Sequence, residues 1–371
     1  MNAVIDAHML GEQEGGNETY IAGLLQGFER IELTDDVRIT ALFSSRQVPV
    51  QKIGSPVRPI ILGSDGNFQR LFLEIPSICR RSRADVLHVT YHAPPILPCP
   101  SVVSVHDISF RYYPQYFSPR VRLLLSTWMP LSMRRAAVVL TLSEASKRDI
   151  ANHYPYARNK IRAIPLAAGP MVTAKPDTKS IERYTNGRDF ILAVGTVQPR
   201  KNISRLIQAY LLLRQRGATN ARLVIVGRSA WQGSEIQKIA AASPHSQDIV
   251  FTGYLDDAAV AALYRDCAVF IYPSLYEGFG LPVLEAMECG APVITSNLSS
   301  LPEIAGDAAM LVDPYSIDEI GAAIDQVLTN AALREELRTR GPRQAARFSW
   351  EQTARETVEA YKWASQATRK P

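Results

Sequence analysis

Six short runs rich in Val, Ile and Leu recur through the second half of the chain. They are FILAVG, RLVIVG, DIVFTG, AVFIYPS, APVITS and AAMLVD, ending at residues 195, 227, 253, 274, 296 and 313. A strand that is apolar on both faces must be covered on both, and the intervening segments of helical period supply that cover. The rhythm is that of a parallel, doubly wound α/β sheet. The first half carries a looser version of it: AVIDA at 3–7, RITALF at 38–43, DVLHV at 85–89, SVVSVH at 101–106 and AVVLTLS at 137–143 read as strands.

A chain of 371 residues, 46% of them hydrophobic, has the material for two cores rather than one. Between the two strand series, IPLAAGPMVTAKPDT at 164–178 has three prolines and no helical period, the composition of a linker and the expected hinge. The last segment, WEQTARETVEAYKWASQA at 350–367, reads as a long amphipathic helix that no strand follows, free to return to the first domain. The expected organisation is therefore α/β, with two Rossmann-like doubly wound domains at 1–166 and 179–349, a linker at 167–178 and a returning helix within 350–371. Open parallel sheets bind ligands beyond the C-terminal ends of their strands, so two such sheets sharing a crevice direct the search to strand ends.

The net charge of +5 falls entirely within residues 1–170. An excess of that size suits a phosphate-bearing partner or an anionic membrane surface and is too small for a nucleic-acid protein. SPRVRLLLSTWMPLSMRRAA at 118–137 joins four arginines to Leu, Trp and Met positions. That pattern fits a membrane-surface segment and fits equally a core helix with charged ends. No run of about eighteen apolar residues occurs. The first residues, MNAVIDAHML, also lack the basic start and apolar stretch of a signal peptide. The expectation is a cytoplasmic protein, peripheral on the inner face of the cytoplasmic membrane. Cys79, Cys99, Cys267 and Cys289 are too scattered for a metal knuckle or a disulfide framework and read as buried thiols.

Four strand-end segments carry chemistry. YEGFGLPVLEAMECG at 276–290 follows AVFIYPS directly. Its glycines make a tight loop, Pro282 suits a first helical turn, and Gly290 suits the position after a helix end. Such a loop aims the Gly280 and Leu281 amides and the helix dipole at a ligand phosphate. Glu277 and Glu285 offer two carboxylates to hydroxyls, although read alone they are also the residues of a solvated helix cap. GTVQPRKN at 195–202 puts Arg200 and Lys201 where a helix begins, a placement that opposes the dipole unless an anion neutralises them. In EGGNETYIAGLL at 14–25, Gly15 and Gly16 let backbone approach a ligand, with Asn17 as the expected helix cap. The segment is neither a Walker loop nor G-x-G-x-x-G. SVHDIS at 104–109 ends a strand with His106 and Asp107, where a lone histidine is often structural. His88 and His92 flank another strand end without carboxylate or thiolate neighbours, a poor basis for a metal site.

These segments, in this order, resemble family 4 of the retaining glycosyltransferases with the GT-B architecture, in which two such domains face a central cleft. TLSEASKRDI, GRSAW, VFTGYLDD and SLPEIAGDAAMLVDPYS extend the resemblance over nearly the whole chain. It implies that the first domain binds the acceptor and the second a nucleotide diphosphate sugar. His106 would then lie beside the transferred sugar, Arg200 and Lys201 would hold the diphosphate, Glu277 would bind sugar hydroxyls and Glu285 the ribose. Gly278, Phe279, Gly280 and Leu281 would line the sugar and phosphate pocket. Gly15 and Gly16 would close over the phosphates, and Tyr254 and Leu255 would present backbone to the nucleobase. The residues after the glycine pair, Asn17, Glu18 and Thr19, depart from many relatives and put contacts near that loop in doubt. The implied reaction moves a hexose, with mannose from GDP-mannose weakly favoured, onto a glycan or lipid-linked oligosaccharide in surface polysaccharide synthesis. It uses no cofactor beyond the donor and no metal, since no Asp-x-Asp tripeptide occurs. A sugar-nucleotide 2-epimerase, a phosphorylase or a non-catalytic sugar-nucleotide binder of the same fold are the rivals.

Overall fold

A computed structural model describes residues 1–367 apart from 12–14, 35, 45–53, 55, 65, 170, 171, 173, 176, 178 and 230–232. Glu14 of the glycine loop, five residues of the expected linker and the last two of GRSAW therefore lie outside the described residues. The chain divides into two compact units. One comprises Met1–Ile108, Pro119–Ala167 and Ser349–Pro371; the other comprises Ser109–Ser118 and Ala168–Phe348.

The first unit is built on a seven-stranded sheet of β1 (Asn2–Asp6), β2 (Arg38–Phe43), β3 (Val57–Ile61), β4 (Val86–Thr90), β5 (Ser101–Ser104), β6 (Val138–Thr141) and β7 (Ile161–Ala163). Their order is β3-β2-β1-β4-β5-β6-β7, with every neighbouring pair parallel. The central strands are buried along their length, which is why their sequences read as apolar runs. β3 and β7 are edges. Half-exposed VRPII, with a proline that an edge tolerates, and the three-residue IRA give no such run, and the sequence does not announce either strand.

The helix Gly16–Arg30 covers this sheet with Tyr20, Ile21, Leu24, Leu25 and Phe28. Asn17 does not cap it. Gly15 does, at φ 61°, with no side-chain bond, and Asn17 lies inside the helix. The helix Trp350–Ala367 packs against it and buries Trp350, Ala354, Val358 and Tyr361. Glycines set the spacing. A Cβ at Gly23 would stand 2.1 Å from the Trp350 ring, and one at Gly27 would stand 2.3 Å from the Trp350 carbonyl oxygen.

The second unit holds β8 (Phe190–Val194), β9 (Arg222–Val226), β10 (Ile249–Gly253), β11 (Val269–Tyr272), β12 (Val293–Ser296) and β13 (Ala309–Val312). They form a wholly parallel sheet in the order β10-β9-β8-β11-β12-β13. The helix Ile203–Gln215 buries Leu206, Ile207, Tyr210 and Leu213 in the core of this unit. Each such apolar side chain contributes roughly 1.5–3 kcal/mol. Two strand-end glycines touch: Gly195 and Gly227 both have φ 142°, and a Cβ at Gly227 would lie 2.1 Å from the Gly195 carbonyl oxygen. Strand order reverses between β8 and β11, and between β1 and β4 in the other sheet, so each unit has one switch point at which a crevice opens.

Of the four thiols, Cys79 and Cys267 are buried while Cys99 and Cys289 are half-buried.

Candidate functional site

The two strands that flank the switch point of the second sheet deliver its charged residues. After β8, the chain turns through a 3₁₀ turn at Pro199–Lys201 before the helix Ile203–Gln215, so Arg200 and Lys201 precede that helix rather than open it. Asn202 makes the junction in the left-handed conformation, at φ 60°. Its buried amide donates to the carbonyls of Pro273 (3.1 Å) and Pro314 (2.6 Å), tying the turn to the segments that follow β11 and β13. After β11, the Leu275 amide donates to the Arg200 carbonyl (2.9 Å), and Ser274 Oγ lies 3.1 Å from the same oxygen.

This lacing brings Glu277 between both cations. Its Oε1 lies 2.6 Å from Lys201 Nζ and its Oε2 3.0 Å from the Arg200 guanidinium. Oε1 also accepts from the Tyr272 hydroxyl (3.0 Å) and from Ser274 Oγ (2.5 Å). Lys201 bonds Tyr272 and Arg200 bonds the Tyr276 carbonyl as well. Burial pushes the Glu277 carboxyl upward. The Arg200 and Lys201 charges, with hydrogen bonds from Lys201 and Ser274, outweigh it and bring the pKa down to about 2. Two half-buried cations on one buried carboxylate leave the cluster with an excess of positive charge at neutral pH. Tyr272, Ser274 and Asn202 were not singled out in the sequence. Their only signal was position, within or beside strand-end motifs.

The loop beyond Glu277 is fixed by serines. Ser299 Oγ accepts from the Glu277 amide (2.9 Å), and Ser300 Oγ lies between the carbonyls of Glu277 (2.9 Å) and Phe279 (2.7 Å), with one proton to share between them. Gly280, at φ 117°, starts the helix Leu281–Glu288, and a Cβ there would meet Leu301 Cδ2 at 2.8 Å. Pro282 fills the first turn, and Gly290, at φ 75°, follows the helix end. The Gly280 and Leu281 amides donate to nothing among the described residues, so this helix presents free donors and its positive pole. Glu285, half-buried on the same helix, accepts from the Tyr264 hydroxyl (3.4 Å). Desolvation raises its pKa to about 7.

Tyr112 and Tyr113, absent from the expected site, also belong to this unit. The Tyr112 ring stacks on Tyr276 with centroids 5.2 Å apart, while the Tyr113 hydroxyl donates to the Leu275 carbonyl (3.2 Å) and meets that of Tyr315 (2.9 Å). Tyr254 and Leu255 lie apart from the cluster, beyond the edge strand β10. Tyr254 is 61% exposed under the Arg228 guanidinium, and Leu255 is half-buried.

In the first unit, His106 follows β5 and is 6% exposed. Its ring meets Tyr20 edge to face (4.7 Å) and Tyr91 likewise (5.4 Å), and its Nε2 has no partner among the described residues. Burial, opposed by Asp107, pulls its pKa down to about 4, so the imidazole is neutral at pH 7. Gly15 and Gly16 are exposed after β1. His88 lies 1% exposed within the sheet and is bonded to hydroxyls, which removes it as a ligand or acceptor contact. Among the described residues no group of three His, Cys, Asp or Glu side chains could hold a metal ion.

Residues 14–167 match the family described as Glycosyltransferase Family 4, and residues 175–344 match Glycosyl transferases group 1. O-antigen chain mannosyltransferase B of Escherichia coli is 36% identical over 71% of this chain and 70% of its own length. The serotype-specific mannosyltransferase WbdA of E. coli is 32% identical over 61% of this chain but only 29% of its own. In fold, the sucrose-phosphate synthase of Thermosynechococcus elongatus superposes with a TM-score of 0.78 at 20% identity, covering 99% of this chain and all of that one.

Proposed function

Because the chain belongs to the family 4, group 1 glycosyltransferases of GT-B fold, we propose that it moves mannose from GDP-mannose onto a glycan or lipid-linked oligosaccharide during surface polysaccharide synthesis. The transfer retains the anomeric configuration and needs no divalent metal. The observation that carries this reading is the cluster of half-buried Arg200 and Lys201 on buried Glu277, three residues before the Gly280 helix start. A departing diphosphate gains negative charge, and fixed cations and amides in a low-dielectric site stabilise it without reorganising. The mannosyl preference rests on the names of the relatives.

In this mechanism the sugar C1–O bond to the diphosphate breaks while the C1–O bond to the acceptor forms on the same face. The acceptor's proton passes to the leaving phosphate oxygen, so no protein nucleophile is used. Glu277, ionised at neutral pH, accepts from sugar hydroxyls. Neutral His106 is a hydrogen-bonding group for the transferred sugar rather than a strong base. Glu285 accepts from the ribose.

Thermal shift with GDP-mannose, GDP, UDP-glucose and UDP-N-acetylglucosamine tests the donor, with the product's anomeric configuration read by NMR. GDP-mannose is expected to raise Tm most. Glu285 gains its charge as pH rises through about 7, and only the carboxylate accepts from both ribose hydroxyls. The donor-induced shift should therefore grow from pH 6 to pH 8 in wild type and lose that growth in Glu285→Gln. Stabilisation by UDP sugars alone removes the mannosyl reading, and an identical pH response in Glu285→Gln removes the ribose from Glu285.

No helix of the described residues is long and apolar enough to cross a membrane. Contact with the inner face of the cytoplasmic membrane is instead assigned to the helix Pro119–Arg135. Its second half packs through Met129 and Met133, while its first half exposes Val121, Leu123 and Leu124 beside Arg120 and Arg122. Co-flotation with anionic vesicles at low salt, weakened in Leu123→Ser, is the expected result. Absence of flotation at low salt sinks this assignment.

A further inference from the structure

Behind His106, at the centre of the first unit, lies a hydrogen-bonded chain that the proposed mechanism does not use. The Tyr20 hydroxyl is 2.9 Å from Ser104 Oγ, Ser104 Oγ is 2.7 Å from His88 Nε2, and His88 Nδ1 is 2.6 Å from the Tyr361 hydroxyl. A longer contact of 3.3 Å joins Tyr20 to His88 Nε2 directly. All four side chains are buried. They come from four elements: the helix Gly16–Arg30, β5, β4 and the helix Trp350–Ala367.

Burial, with the nearby His106, pulls the His88 pKa down to about 3, so its imidazole is neutral and has one donor and one acceptor nitrogen. The chain therefore runs in a single direction at a time. With the proton on Nε2, His88 donates to Ser104 and accepts from Tyr361; with it on Nδ1, His88 donates to Tyr361 and accepts from Ser104. Both directions make three bonds, and leaving out any member strands a buried polar group. Such a chain holds its end groups to one position. One end is the Tyr20 ring, which meets His106 edge to face at 4.7 Å, closer than the Tyr91 ring at 5.4 Å, on a histidine whose Nε2 has no hydrogen-bond partner among the described residues.

We propose that Tyr20 is a positioning residue for His106, and that Ser104, His88 and Tyr361 hold Tyr20 in place for it. The helix Trp350–Ala367, which also packs on the helix that carries Tyr20, thereby reaches His106 through a hydrogen-bonded chain. The inference rests on the reading of His106 as a group that touches the transferred sugar.

The test compares the full-length wild type with Tyr361→Phe, Tyr20→Phe, Tyr20→Leu and His106→Ala. Melting temperature, kcat, donor KM and the imidazole ¹⁵N shifts of His88 and His106 are measured on each. Tyr361→Phe keeps the packing and removes one hydrogen bond. It should lower kcat about three- to tenfold, the scale of a single displaced bond, with donor KM unchanged and both sets of imidazole shifts altered. Tyr20→Leu removes the ring edge itself and should lower kcat about a hundredfold, with Tyr20→Phe between the two. If His106→Ala disables the enzyme while Tyr361→Phe and Tyr20→Phe retain wild-type kcat, the proposal is overturned. Unchanged His106 shifts in Tyr20→Phe and Tyr361→Phe overturn it as well, whatever the rates. If His106→Ala is fully active, the reading of His106 itself has failed, and the shifts still decide whether the chain positions the ring.

Discussion

Lys201→Ala is expected to lower turnover by about a hundredfold or more, the scale seen when one preorganised transition-state donor is lost. The Lys201 side chain is 12% exposed and its ammonium touches Tyr272 and Glu277, the residue three before Gly280 at the start of the helix Leu281–Glu288. In the proposed mechanism, losing the ammonium removes one of the two cations that would meet the leaving diphosphate. Arg200→Lys is expected to fall almost as far, because one guanidinium nitrogen already bonds the Glu277 carboxylate and the Tyr276 carbonyl and the planar group carries further N–H donors that an ammonium does not reproduce. Both variants and the wild type are assayed in excess EDTA, with and without manganese. Wild-type activity is expected to survive EDTA. Its loss there, restored by manganese, would falsify the metal-free mechanism, whereas near-normal rates for Lys201→Ala would remove that residue from the phosphate site.

Gly227→Ala is expected to destabilise the second unit by about 3 kcal/mol or more, combining strain at a forbidden backbone conformation with overlap against neighbouring backbone. The added carbon would lie 2.1 Å from the Gly195 carbonyl oxygen at φ 142°, and no side chain there can swing aside to relieve it. Gly195 opens the turn that carries Arg200 and Lys201. A soluble fraction of the variant should therefore show weakened donor-induced thermal stabilisation as well as a lowered Tm. A Tm and donor response equal to wild type would show that the loop moves aside without consequence.

Much of this arrangement is legible in the amino-acid sequence. The six strands of the second sheet are dense in Val, Ile and Leu because helices cover both their faces, and for the same reason the edge strands β3 and β7 were not legible. Arg200, Lys201 and Glu277 stood out because glycine loops follow their strands, and it is those turns that bring them together. The groups that hold them were silent. Tyr272 ends a strand, Ser274 looks like any turn serine, and Asn202 works through a left-handed conformation that composition does not announce. Tyr112 and Tyr113 were hidden differently, since their segment lies amid first-half sequence yet clusters with the second unit. The expected cap at Asn17 failed because Gly15, with its positive φ, caps the helix two residues earlier. The pairing of His88 with His92 reflected proximity in sequence, whereas one of the two is sealed within the sheet by hydroxyls.

The first unit is not continuous in the chain: Trp350, Ala354, Val358 and Tyr361 complete a core begun by residues 1–167. Synthesis from the N-terminus therefore reverses the spatial order of maturation. The whole second unit has left the ribosome while the first still shows water the glycine-lined groove of the helix Gly16–Arg30. Until the last helix arrives, that groove is an apolar surface open to chaperones and to neighbouring nascent chains. A chain that stopped before Ser349 would thus hold all of the second unit joined to a first unit whose groove stays uncovered.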